Sequence, residues 1–237
     1  MKQRKLGGLD VRIAGGTDRE GAGEGPAVVL LHGFGAPGDD LVPLWRVLAA
    51  PAGTRFVFPE APLDLGMPYG GGRAWWWFDL EERMRRQAIG QPRDIAEVPE
   101  GLDTARAKVD ALLDEMQREL RPPPGKVVLG GFSQGAMLAL DVALRSPRPL
   151  AGLVLLSGTH IAAREWSARF EHRRGLPVFM SHGQGDELLP VAIAEGLRDA
   201  LTASGIPVEW VAFRGGHGIP SNVVDGVSAF LRRVLAP

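Results

Sequence analysis

Apolar and polar positions follow two rhythms along this chain. Residues 27–31, Ala-Val-Val-Leu-Leu, are apolar without a break, as a central strand covered on both faces requires. Residues 55–58, 126–130, 150–156, 176–180 and 208–213 repeat that character, whereas 9–14 alternate like a short edge strand. Between the strands the period lengthens. Leu102, Ala105, Val109, Leu112, Leu113, Met116 and Leu120 recur at three- and four-residue spacing and predict one helix face. The Ala- and Leu-rich stretch 137–144 predicts a second helix. Pro190 predicts the start of a third, running to about Ala203 with Gly205 just past its end. Val223, Val224, Val227, Phe230, Leu231 and Val234 predict a last amphipathic helix. Strands alternating with helices predict an α/β fold, a mostly parallel central sheet with helices on both faces. No repeat or linker divides residues 1–237, so a single domain is expected.

Two stretches stand outside the alternation. Residues 15–26 are Gly-rich and charged and predict a mobile connection. Residues 83–100 are charged, contain Pro92 and Pro99 and lack sustained periodicity. A solvated surface connection accounts for this. A lid or surface insertion over residues 80–100 is the sharper alternative, because the stretch follows the tryptophans at 75–77.

Composition narrows the function classes. The formal net charge is −1, with no basic stripe, so nucleic acid is not an expected partner. Cysteine is absent, which excludes a disulfide framework, a thiolate nucleophile and a cysteine zinc site. No paired histidines occur at ligand spacing, so no metal site is expected. Lys2, Arg4 and Lys5 resemble the basic start of a signal peptide, but Gly7, Gly8 and Asp10 occupy the place of its apolar core. No run approaches the ~20 apolar residues that span a bilayer. A cytoplasmic protein without stable membrane insertion is expected. Dimerisation through exposed aromatic surface stays open.

The chemistry concentrates at Val127-Val128-Leu129-Gly130-Gly131-Phe132-Ser133-Gln134-Gly135-Ala136. An apolar run enters a Gly-x-Ser-x-Gly turn and leaves as a helix, the pattern of a nucleophile elbow that presents its serine in a strained conformation. The competing reading is an ordinary turn with Ser133 as helix N-cap. A serine nucleophile needs an imidazole base, and the imidazole needs a carboxylate. In an α/β-hydrolase these follow in the order acid, then histidine, each on a loop past a strand. Asp186 follows strand 176–180, and His217 follows strand 208–213. Glu187 is the neighbouring alternative acid. Among the other histidines, His32 and His182 read as packed turn residues, His172 as solvated, and His160 as a minor candidate for substrate contact. The expected oxyanion donors are the backbone N–H groups of Gln134 and, from the early loop His32-Gly33-Phe34-Gly35, of Phe34, with Gly35 as alternative.

Together these residues resemble the phospholipase/carboxylesterase family of α/β-hydrolases, which includes acyl-protein thioesterases. The resemblance rests on Leu30-Leu31-His32-Gly33-Phe34-Gly35, on the elbow, on His182-Gly183 with Asp186 and Pro190, and on Gly216-His217. Phe58-Pro59-Glu60-Ala61-Pro62 and Ala74-Trp75-Trp76-Trp77-Phe78-Asp79 also resemble family segments. It runs from about Ala27 to Leu235. It implies an α/β-hydrolase fold and hydrolysis of small-molecule carboxylic esters or thioesters without metal or organic cofactor. A lipase, perhydrolase or peptidase, or a non-catalytic receptor on the same fold, are the alternatives. The consecutive Trp75, Trp76 and Trp77, with Gly70, Gly71 and Gly72 before them and an Arg-rich stretch after, depart from the usual thioesterase pattern. In an extended segment they point to opposite sides, so some pack in the core while another lines the substrate pocket.

Overall fold

In the computed structural model, which describes residues 1–91 and 93–236, the uninterrupted apolar runs form the interior of one sheet. The described elements begin with β1 (Lys2–Leu6), β2 (Leu9–Gly15), β3 (Ala27–Leu31), α1 (Leu44–Val47), β4 (Arg55–Pro59), β5 (Leu63–Asp64), β6 (Arg73–Ala74), α2 (Leu80–Ala88) and α3 (Leu102–Glu119). They continue with β7 (Val127–Phe132), α4 (Gln134–Arg145), β8 (Gly152–Leu156), α5 (Ala163–Ser167), β9 (Val178–Gly183), α6 (Val191–Ala203), β10 (Val208–Phe213) and α7 (Ser221–Val234). The main sheet runs β1-β2-β4-β3-β7-β8-β9-β10. From β4 to β10 it is parallel, and β1 and β2 add an antiparallel end.

Side-chain alternation sorts the core into two layers. Ala27, Val29 and Leu31 of β3 join the cluster holding α3 and α4, while Val28 and Leu30 join the one holding Val227, Phe230 and Leu231 of α7. Helices therefore cover both faces. Helix α4 is buried nearly all round, and its one acidic residue, Asp141, is fully buried. That carboxylate accepts hydrogen bonds from Arg106 Nη1 (2.7 Å), Arg145 Nε (3.0 Å) and Trp166 Nε1 (2.8 Å), which ties α4 to α3 and α5.

Four expectations are corrected. Residues 9–14 are not an edge: β1 pairs outside β2, with Lys5 opposite Asp10 and Leu6 opposite Leu9. β1 escaped notice because it is charged, as solvent-facing edges tend to be. Residues 208–213 were expected to be central, yet β10 is the other edge and only Phe213 in it is buried. Residues 15–26 are anchored rather than loose. Gly16 N–H donates to Thr54 O (2.9 Å), and the buried Arg55 guanidinium donates to the carbonyls of Gly23, Gly25 and Leu120. Finally, residues 83–100 contain most of a helix, α2. Its support is Glu82 paired with Arg85 and Arg86, so there is no apolar stripe to betray it. Pro92 lies outside the described residues.

The register places the functional loops. Leu31 pairs with Gly131, Phe132 with Leu156, Leu156 with Ser181 and Ala212 with His182. The segments following β3, β7, β9 and β10 therefore leave the sheet on one side, at the carboxyl ends where parallel sheets bind ligands.

Candidate active site

Ser133 joins β7 to α4 with φ 54° and ψ −117°, a left-handed conformation that is strained for a residue with a Cβ. The crossing is tight. A Cβ on Gly131 or Gly135 would fall inside the van der Waals shell of Leu31 O. The Ser133 N–H donates to Leu156 O (2.8 Å), but its hydroxyl makes no capping bond to α4. That separates it from an ordinary N-cap serine. Among the described residues the hydroxyl has no hydrogen-bond partner, and Ser133 lines the wall of a cavity.

The loops after β9 and β10 meet. His217 Nδ1 lies 2.7 Å from Asp186 Oδ2, so Asp186 makes the imidazole contact. The other oxygen, Oδ1, accepts the N–H groups of Leu188 (3.0 Å) and Leu189 (2.9 Å). His182 Nε2 lies 3.3 Å from Asp186 Oδ2 and 2.7 Å from Leu189 O. Burial works to raise the Asp186 pKa, but the bonds from His182, His217 and the Leu189 N–H outweigh it and hold the carboxyl well below the usual range. It is a fixed anion at neutral pH. The His217 ring packs against Phe132, the residue before the serine, at 4.7 Å between centroids. Among the described residues no hydrogen bond joins Ser133 to His217, and His217 is not part of the cavity wall.

On the oxyanion side the structure separates the two candidates in the early loop. Gly35 N–H is committed to Arg73 O (2.9 Å), whereas no backbone bond among the described residues engages Phe34 N–H. Gln134 opens α4, so its N–H has no intrahelical acceptor. The Gln134 side chain, fully buried, does something the sequence reading missed. Its Oε1 accepts Trp75 N–H (2.9 Å) and its Nε2 donates to Trp76 O (2.8 Å), binding the tryptophan segment to the elbow. His32 locks the neighbouring turn: its Nδ1 donates to Gly33 O (2.8 Å) and its Nε2 accepts Ala61 N–H (3.0 Å). Burial keeps it neutral by lowering its pKa.

The cavity measures about 290 Å³ and is walled by Ser133, Gln134, Trp76, Trp77, Met137 and Leu189, together with Arg83, Arg93 and exposed acidic residues of the 79–100 stretch. The tryptophans divide. Trp75 is core, its Nε1 donating to His32 O (2.9 Å), and it does not line the cavity. Trp76 is buried yet reaches the wall, and Trp77 is 53% exposed at its mouth. His160 also lies outside the wall, stacked on Trp166 (5.7 Å) and near Phe170. Burial, and secondarily the Arg93 charge, push its pKa down to about 4. His172 is exposed, as expected.

Comparison with known proteins places the chain in a family. The sequence profile described as phospholipase/carboxylesterase matches residues 19–235. The chain belongs to this family of α/β-hydrolases. Similar relatives include acyl-protein thioesterase 1 of Gibberella zeae, 27% identical over 89% of this chain and 91% of that one. Carboxylesterase SOBER1 of Arabidopsis thaliana is 26% identical over 88% and 90%. The crystal structure of esterase PE8 superposes with TM-score 0.78 at 33% identity, covering 96% of this chain and 99% of that one. This family member is thus an enzyme of the carboxylesterase/thioesterase class. Among the described residues no helix is long and apolar enough to cross a membrane.

Proposed function

We propose that the protein hydrolyses small-molecule carboxylic esters or thioesters through an acyl-enzyme on Ser133, with His217 as base and Asp186 as acid, all in a single domain spanning residues 1–237. Ser133 Oγ attacks the carbonyl carbon while His217 Nε2 takes its proton. The oxyanion is received by the N–H groups of Gln134 and Phe34. The tetrahedral adduct collapses as the imidazolium protonates the departing alcohol or thiol. Water, deprotonated by the same imidazole, then attacks the acyl-enzyme and frees the acid. Asp186 holds the proton of His217 on Nδ1, so Nε2 is left to act as base. The Ser133–His217 hydrogen bond closes on substrate binding, a tightening common in hydrolases. Residues 80–100 serve as a lid, since they supply much of the cavity wall.

The observation that carries this reading is the 2.7 Å bond from His217 Nδ1 to Asp186, together with a serine held at φ 54° whose hydroxyl makes no capping bond to α4. Two tests bear on it. A fluorophosphonate should label the wild-type protein at Ser133. Ser133→Ala should abolish labelling and lower ester turnover by roughly 10³-fold or more while leaving the melting curve in place. Near-native turnover by the purified variant would move the nucleophile elsewhere.

A further inference from the structure

The arginines of the 80–100 stretch fall into two kinds. Arg85 and Arg86 are exposed and paired with Glu82. Arg83 and Arg93 instead line the cavity that holds Ser133, and neither has a carboxylate within salt-bridge distance among the described residues. Arg83 Nε and Arg93 Nη1 are buried without any hydrogen-bond partner there. A buried donor left unpaired is unfavourable, and a charged one more so. Two such groups of like sign in one small cavity compound this: burial first, and then the Arg83 charge, push the Arg93 pKa down to about 9. It stays cationic at neutral pH.

The nearby carboxylates relieve them only in part: the Glu97 charge favours both cations, yet it supplies no acceptor to the buried Arg83 Nε and Arg93 Nη1. Asp79 accepts the Glu82 N–H and Asp94 the Ala96 N–H, which spends those oxygens on local turns. Both are exposed, as are Glu97 and Glu100, so their charges are solvated and screened. The donors point to a ligand that brings its own acceptor. A guanidinium fork matches a carboxylate in both charge and geometry. The volume, about 290 Å³, sits at the small end of ligand sites and suits a short chain.

We infer that Arg83 and Arg93 bind an anionic carboxylate on the substrate, so the protein prefers short esters that carry a second, free acid group. This rests on the ester-hydrolysis reading for its meaning, but its test need not. Wild-type protein is assayed with 4-nitrophenyl hydrogen adipate against its neutral methyl ester, which places the acid on the acyl side. The hexanoyl ester of 4-hydroxybenzoate against phenyl hexanoate places it on the alcohol side. One of the two pairs should show the acid ester favoured in kcat/KM by about tenfold or more, the worth of a charged hydrogen bond. That ratio should fall at least ~5-fold in Arg93→Gln and separately in Arg83→Gln. In parallel, calorimetry on Ser133→Ala protein should detect monomethyl adipate binding that weakens by a similar factor when Arg93→Gln is added. No preference in either pair, or ratios and binding unmoved by both substitutions, would overturn the inference. Hydrolysis of the neutral esters and labelling of Ser133 report separately on the catalytic reading, so failure of one is distinguishable from failure of the other.

Discussion

Position 134 carries two duties at once. Its backbone N–H is proposed to receive the oxyanion, while its side chain clamps the main chain of Trp75 and Trp76 through two buried hydrogen bonds. Replacing it by leucine keeps the first and removes the second, leaving a buried N–H and a buried C=O unpaired. Gln134→Leu should therefore lose about 2–4 kcal/mol of stability, seen as a melting point lower by roughly 5–10 °C. It should also label more slowly with fluorophosphonate. A variant that melts and labels like wild type would show the clamp to be idle. The serine, the order acid-then-histidine and the glycine crossings were legible because each demand is local: a tight turn, a strand end, a missing Cβ. The clamp was not, since nothing in a lone glutamine announces that it meets residues nearly sixty positions earlier. His182, expected to be a packed turn residue, is packed but belongs to strand β9 rather than to a turn. What the sequence did not disclose is that the packing is against the candidate acid itself.

At the scale of elements, α4 is buried nearly all round and has little room to accept change. Asp141 receives three donors from three different elements at zero exposure. Asp141→Asn removes the charge and turns one acceptor oxygen into a donor facing Arg106 or Arg145. Breaking a buried pair in this way should lower stability by about 3–5 kcal/mol, measured as the midpoint of urea unfolding. A loss below ~1 kcal/mol would mean that water replaces the aspartate at little cost. Helices α3 and α7 were readable from apolar spacing, because each lays one stripe against the core, whereas α4 was readable from its Ala- and Leu-rich composition and α6 from Pro190 and Gly205 at its ends. Helix α2 was not: Leu80–Ala88 is held by Glu82 with Arg85 and Arg86, and its apolar residues Met84 and nearby Ile89 are exposed. Strand β1 was missed for a related reason. Backbone pairing to β2 makes it a strand, and pairing leaves no trace in side-chain polarity.

For the whole molecule, two buried histidines set how stability responds to acid. Desolvation lowers the His32 pKa and takes His160 to about 4, both beneath the ordinary histidine value near ~6.5. The unfolded chain then binds protons before the folded one does. Stability should fall as pH drops from about 6.5, with the His160 contribution exhausted near pH 4. Asp186, held low by its donors, keeps its contribution through that window and loses it only in stronger acid. Melting temperatures at matched ionic strength should show the decline, and His160→Phe should flatten it. An unchanged slope in that variant would remove His160 from the account. The molecule also has a seam. The proposed nucleophile, acid and base sit on loops whose placement the sheet register dictates, while residues 76–100 supply much of the cavity wall. The ties of that stretch to the rest include the bond from Gln134 Nε2 to Trp76 O, the ring contacts of Trp77 and Phe78 with Phe34, and the N–H groups of Ala162 and Ala163 on the carbonyls of Glu97 and Ile95. Evolution, or an engineer, could exchange that one stretch and alter which molecules are accepted without touching how they are cut.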